Sequence, residues 1–249
     1  MKKKLFNKDF RDVAFGYKNN YFDLCFTSPP YNMNLRVNQK GDGYCSRQIK
    51  KEISTKYSNF SDNLPMEDYE KWLKGTIFEC LRVSKLTFFN IQMITGNKPA
   101  LFRVMGFFAS EIKEVIIWDK VNAQPAIGEG VLNSQFEFIL VLSKDAITRS
   151  FKNANFERGT LSNVWSIKRE KSKIKNHGAV FPESLANRVF GFFGFEGMKV
   201  FEPFLGSGTS AIAAHYNKAS EFIGCEIDQQ YFEDAQKRIE SETRQMELF

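Results

Sequence analysis

Lys199-Val200-Phe201-Glu202-Pro203-Phe204-Leu205-Gly206-Ser207-Gly208-Thr209-Ser210 is the stretch that decides the fold of this chain. A short apolar run of strand length turns through two glycines and passes into a helix carrying Ala211, Ile212, Ala213, Ala214 and Tyr216. A second strand, Glu221–Cys225, closes on Glu226-Ile227-Asp228, and an amphipathic helix continues to Glu242. Strand, glycine turn, helix, strand, acid is the logic of a nucleotide-type cradle. The glycines let the backbone approach a ligand, and an acid at the tip of the next strand accepts both ribose hydroxyls. The spacing fits neither G-x-G-x-x-G nor G-x-x-x-x-G-K-[ST], and no lysine follows Gly208, which disfavours a phosphate cradle. The expected ligand therefore carries an adenosine without needing a pyrophosphate anchor. Taken alone, such a turn also serves to cap an ordinary βαβ unit.

Working outward, the chain holds a second unusual turn, Thr27-Ser28-Pro29-Pro30-Tyr31-Asn32, directly after the apolar run Tyr21–Phe26. Consecutive prolines fix φ and remove two backbone donors, so their carbonyls point outward without local partners. An outward carbonyl beside a serine hydroxyl and a tyrosine ring suits a flat group bearing an NH2. Serine and carbonyl accept its two hydrogens, and the ring stacks on its face. The bland alternative is a strand ending in a rigid turn, with Tyr31 as packing.

With 249 residues the chain can bury a full core, and one α/β domain spanning 1–249 is expected. Lys+Arg 35 against Asp+Glu 29 leaves a net charge of +6, which permits a polyanionic partner without proving one. Cys25, Cys45, Cys80 and Cys225 form no C-x-x-C pair, which argues against a zinc site or a disulfide framework. Met1-Lys2-Lys3-Lys4 resembles the start of a signal peptide, but Asn7, Lys8, Asp9, Arg11 and Asp12 interrupt any apolar core. No run reaches membrane-spanning length, so the expectation is a soluble cytoplasmic protein.

Between the two turns, helices are expected at Glu67–Ser84 and Lys98–Phe108, and strands at Leu86–Ile91, Glu114–Trp118 and Phe136–Leu142. Gln124 to Asn133 reads as a loop. Strands alternating with helices indicate a mostly parallel sheet with helices on both faces. Arg36 to Phe60 carries Arg36, Lys40 and Arg47 among glycines and polar residues, with little periodicity. A loop of that length is either functional or mobile, or simply a solvated insertion. Over 144–176 hydrophobic density falls, and Lys168, Arg169, Lys171, Lys173 and Lys175 crowd beside Trp165. A charge run is most often a solvated face; next to an aromatic it also makes a surface that grips a nucleic-acid backbone.

Together the two turns resemble those of the DNA amino-methyltransferases, whose hallmarks are a (D/N/S)-P-P-(Y/F) turn and a D-P-F-x-G-S-G-T cofactor loop. With Pro-Pro-Tyr early and the glycine loop late, the order resembles the family's beta class. Glu114–Lys120, Gln135–Lys144, Asn163-Val164-Trp165 and His177–Leu185 resemble further segments, so the likeness covers nearly the whole chain. Glu202 stands where the family usually has aspartate, Gly178 where it often has proline, and Lys8-Asp9 where it often has Gly-Asp.

The resemblance implies a Rossmann-like methyltransferase fold in circularly permuted order, with S-adenosyl-L-methionine as cofactor and double-stranded DNA as substrate. It places Ser28, Pro29, Pro30 and Tyr31 at the chemistry. Asp9, Phe10, Thr27, Phe181, Pro182, Ser184, Glu202, Pro203, Phe204, Gly206, Ser207, Gly208, Thr209, Glu226, Ile227 and Asp228 are placed at the cofactor. The DNA contacts expected are Arg36, Lys40, Arg47, Trp165, Lys168, Arg169, Lys171, Lys173 and Lys175, with 144–176 as a short target-recognition segment. A companion restriction endonuclease acting separately is also implied. The base must leave the stack to be reached, with Tyr31 stacking on it; on this reading the ring face of Tyr31 matters more than its hydroxyl. Ser-Pro-Pro-Tyr goes mostly with N4 of cytosine in the family, and N6 of adenine is the alternative. An inactive DNA-binding subunit, or an RNA or protein amino-methyltransferase, would break the serine or replace it, and Ser28 is intact. No proline precedes a cysteine, which counts against methylation of ring carbon five.

Overall fold

The computed structural model describes residues 1–33, 62–124, 129–170 and 180–244. The Arg36–Phe60 loop with Arg36, Lys40 and Arg47, and the lysines Lys171, Lys173 and Lys175, lie outside the described residues. Part of the 124–133 loop also lies outside them.

The chain builds one sheet in the order β1-β8-β7-β2-β3-β5-β4-β6. Its strands are β1 (Lys2–Phe6), β2 (Phe22–Thr27), β3 (Ser84–Ile91), β4 (Ile112–Gln124), β5 (Ser134–Leu142), β6 (Val164–Ser166), β7 (Lys199–Glu202) and β8 (Glu221–Cys225). All pairings are parallel except those that β5 makes with β3 and β4. The central strands are apolar on both sides, as a doubly covered sheet requires. Val200 and Phe201 point to opposite faces, as do Phe222 and Ile223, and Phe88 and Phe89.

One face is covered by α4 (Glu183–Phe193), α5 (Thr209–Tyr216) and α6 (Gln229–Arg244). The other is covered by α1 (Phe10–Ala14), α2 (Met66–Val83) and α3 (Lys98–Phe107). In α2 the buried Tyr69, Leu73, Thr76, Ile77 and Cys80 recur at helical spacing. In α5 every residue from Thr209 to Ala214 is buried, because α4 and α6 flank it within the same core cluster. No helix among the described residues is long and apolar enough to cross a membrane.

β7 and β2 are neighbours at the centre, and from this point the connections diverge. β7 passes through α5 to β8 on one side, whereas β2 passes through α2 to β3 on the other. The carboxyl ends of two such strands open a crevice at the switch point, which is where open α/β sheets bind their ligands. The two unusual turns are these two carboxyl ends.

One expectation needs correction. Trp165 is 1% exposed and pairs with Trp118 in the sheet; its indole nitrogen donates to the Ser162 carbonyl at 2.8 Å. It is a core residue, with the Arg188 guanidinium 5.6 Å over its ring, and it has no face to offer DNA. The N-terminal lysines belong to an edge strand that pairs with β8. Glu183–Phe193 forms a full helix after Pro182.

Candidate active site

Two half-sites meet across the β7–β2 boundary. The open cavity between them is lined by Ser28 and Pro30 from one half and by Asp9, Phe10, Phe204, Gly206, Glu226 and Ile227 from the other, among others.

The glycine half begins where β7 ends. Gly208 has φ +79 and caps α5, and a Cβ there would sit 2.7 Å from Ile239 of α6. Close helix–loop packing therefore demands glycine. Arg238 of α6 braces the loop from behind. It donates to the Ser207 carbonyl at 2.9 Å and to the Ser207 and Thr209 hydroxyls at 3.0 Å, while pairing with Glu183 and Glu242. Glu226, at the tip of β8, accepts the Gly206 N–H at 2.9 Å and the Asp228 N–H at 3.0 Å. Its carboxylate oxygens keep further lone pairs. Burial pushes its pKa up, against the pull of those backbone donors.

Beneath the cavity, Glu202 ties the two halves together. It is fully buried and accepts the Thr27 hydroxyl at 2.5 Å, the Ser210 hydroxyl at 2.7 Å and the Phe204 N–H at 3.1 Å. Desolvation raises its pKa to about 8 despite these partners.

The proline half is held by side chains distant in sequence. Tyr69 donates its hydroxyl to the Pro30 carbonyl at 2.8 Å, and Asn97 donates to the Tyr31 carbonyl at 2.9 Å. Asn32, with φ 58, donates to the carbonyls of Leu64 and Gly96, and its own N–H goes to Asp62. Gly96 is required there, since a Cβ would lie 2.0 Å from the Asn32 carbonyl oxygen. Among the described residues nothing donates to the Pro29 carbonyl. The turn is thus fixed from outside, with Ser28 facing the cavity.

A polar network lies behind Ser28. Ser28 Oγ and Tyr31 Oη are 2.8 Å apart, and Tyr31 donates to Glu137 Oε2 at 2.8 Å. Asn90 Nδ2 lies 2.7 Å from the same carboxylate oxygen and 2.9 Å from Tyr31 Oη, and Lys120 Nζ is 3.3 Å from Glu137 Oε1. The Tyr31 hydroxyl is therefore a hub and not a dispensable substituent. Burial, with the Glu137 charge next, pushes its pKa well up.

Residues 22–237 match the profile of the DNA methylase family. The chain belongs to that family. The Type II methyltransferase M.HinfI of Haemophilus influenzae is 29% identical over 246 residues, covering 89% of this chain and 64% of that protein. M2.DpnII of Streptococcus pneumoniae is 26% identical over 233 residues, covering 88% and 83%. The chain spans 44% of the length of M.SmaI from Serratia marcescens, at 30% identity over 132 residues, half of this chain. Among solved structures, PvuII DNA methyltransferase (cytosine-N4-specific) superposes with a TM-score of 0.72 at 15% identity, over 98% of this chain and 92% of that one.

In this DNA methylase the motif order is that of the beta-class amino-methyltransferases, whose cofactor is S-adenosylmethionine. Of the residues assigned to that cofactor from sequence, Asp9, Phe10, Phe181, Pro203, Phe204, Gly206, Ser207, Thr209, Glu226 and Ile227 line the cavity. Thr27, Pro182, Ser184, Glu202, Gly208 and Asp228 are not among the lining residues, and neither are Pro29 and Tyr31. Asp228 accepts the Tyr231 N–H at the start of α6, and Ser184 lies 3.4 Å from Glu170. Asp9 caps α1; burial pushes its pKa up, but hydrogen bonds from Arg11 outweigh this and hold it below the usual value. Sequence reasoning missed Lys8, Trp72, Val180 and Leu205 in the lining. Trp72 was legible only as an apolar position of α2, and its ring packs 5.7 Å from that of Phe204. Lys168 and Arg169 are exposed on the segment that follows β6.

Proposed function

We propose that this methylase transfers a methyl group to the exocyclic N4 amine of a cytosine turned out of double-stranded DNA. The observation that carries the reading is that Ser28 and Glu226, nearly 200 residues apart in sequence, face one cavity. Serine in the first position of the turn supports cytosine over adenine by the family's usage.

The residues present fit S-adenosylmethionine. Glu226 has lone pairs for ribose hydroxyls, and Phe10, Phe181, Phe204, Trp72 and Ile227 supply apolar walls for an adenine ring and keep out water. When bound, that cofactor supplies an electrophilic methyl on a sulfonium. The chain's own part is alignment. Ser28 Oγ and the Pro29 carbonyl accept the two amine hydrogens, drawing the nitrogen lone pair out of conjugation with the ring and aiming it at the methyl. The half-exposed Tyr31 ring stacks on the base. A nuclease cutting the same site would be the natural companion, as a separate protein.

Sequencing DNA from cells that express the protein, with detection of modified bases, tests this directly. N4-methylcytosine at one short recurring sequence is the expected result. N6-methyladenine would move the reading to the other base, and unmodified DNA would overturn it.

Two variants test the parts. Glu226→Ala is expected to weaken S-adenosylmethionine binding, because each charge-assisted hydrogen bond lost costs about 1.5–3 kcal/mol. Unchanged affinity by calorimetry would take Glu226 out of the site. Replacing Lys168 and Arg169 by alanine should weaken DNA binding and reduce the slope of log affinity against log salt by about 1.8 if both meet phosphates. A slope equal to that of wild type would leave them as a solvated face.

A further inference from the structure

Glu137 and Lys120 form an ion pair at 7% and 2% exposure, and the alignment chemistry above uses neither charge. Burying two charges is costly, and apolar residues of similar volume often serve stability as well. The bond pattern around the pair shows what it can do. An ionised carboxylate only accepts, so Tyr31 gives its single hydroxyl hydrogen to Glu137. The Tyr31 oxygen is then left with lone pairs, and in its 2.8 Å contact with Ser28 it is Ser28 that donates. Asn90 Nδ2 also donates into this cluster and does not reverse the order. Ser28 Oγ, its hydrogen committed, faces the cavity as an acceptor. That is the polarity an amine needs and a carbonyl does not.

We propose that Glu137 is the terminal base of a hydroxyl relay running from the substrate amine through Ser28 and Tyr31. The inference rests on the methyl-transfer reading above. As the amine nitrogen bonds to the methyl carbon, the carbon–sulfur bond breaks with its electron pair going to sulfur, and nitrogen is left with one proton too many. That proton passes to Ser28 Oγ, the hydrogen of Ser28 passes to Tyr31 Oη, and that of Tyr31 passes to Glu137 Oε2. The positive charge that began on sulfonium ends as the proton that neutralises Glu137. Glu137 touches no substrate and is a positioning residue acting through the two hydroxyls. The titratable or charged groups facing it are Tyr31 from the turn after β2 and Lys120 from β4, with Arg169 beyond Lys120; β3 offers the neutral Asn90.

The test uses the full chain and a duplex carrying its methylated site. Glu137→Gln should lose about a hundredfold in single-turnover rate, within the range of acid–base contributions. Tyr31→Phe breaks the same chain, so it should lose a similar factor, and the double variant should be no slower than either single. Binding supplies a readout independent of transfer. A duplex with the target amine replaced by a carbonyl oxygen should bind wild type at least about tenfold more weakly than the amine duplex. In Glu137→Gln, Lys120 draws the amide oxygen, the amide NH2 faces Tyr31, and the chain can reverse. The discrimination should then shrink to about twofold. Additive losses or undiminished discrimination would overturn the relay. Wild-type protein that methylates no DNA overturns the underlying reading instead, so the two failures are distinct.

Discussion

Ser28→Ala is expected to lower the single-turnover methyl-transfer rate about a hundredfold while leaving cofactor affinity and melting temperature near wild type. Removing one preorganised partner of a developing charge costs about 10²–10³ in rate. The Ser28 side chain bonds the Tyr31 hydroxyl and Asn90 Nδ2, whereas the backbone of the turn is held by others: the Pro30 and Tyr31 carbonyls and Asn32 are bonded by Tyr69, Asn97, Leu64, Gly96 and Asp62. The loss should therefore fall on the chemical step. Tyr31→Ala should be as damaging to product formation, since stacking on a base is worth about 1–3 kcal/mol and the hydroxyl chain is lost with it. Unlike Ser28→Ala it should also lower the melting temperature, because the Tyr31 ring packs against the α2–α3 core. Wild-type rates in both variants would place the base elsewhere.

The second large effect concerns Glu202 and pH. Its pKa is raised from the carboxylate value of 4.5 to about 8, with burial as the chief cause. Above pH 4.5 the unfolded chain releases this proton while the folded chain keeps it, so the folded state binds more protons. Stability should therefore fall as pH rises, by as much as about 1.4 kcal/mol per unit across that window, and level off above pH 8. Glu202→Gln preserves the shape. The amide oxygen can accept from Thr27 and Phe204, and its NH2 can donate to the Ser210 hydroxyl. The expected result is a flatter melting profile between pH 5 and 9 and a higher melting temperature at the alkaline end. Parallel profiles for the two proteins would mean that Glu202 is ionised when buried.

Much of this was legible in the sequence, for definite reasons. Glu221–Cys225 is a strand at the residues expected, because a buried parallel strand reads as a short apolar run between polar ends. The glycine turn and the Pro-Pro-Tyr turn stood out because each needs residue types that few other structures need. What stayed hidden depends on register. Asn90, Lys120 and Glu137 meet only because β5 runs antiparallel between β3 and β4, setting Glu137 opposite Trp118 and Asn90 opposite Ile139. No local spacing announces that. The strand β1 was masked by its lysines, which suit a sheet edge but break the apolar pattern. Trp165 misled because an aromatic beside lysines looks alike whether its ring faces solvent or the sheet.

The strand order also governs how the molecule can come into being during synthesis. A ribosome releases β1 and β2 early, yet β1 pairs only with β8, and one side of β2 waits for β7. The strands that fill the gap emerge after the rest of the sheet. Until then Phe22 lacks its stacked partner Phe201, Leu24 lacks its pair Val200, and Thr27 has no Glu202 to bond. The nascent chain thus stays incomplete at its centre as well as along β1, and closing the sheet and assembling the active site are a single late event.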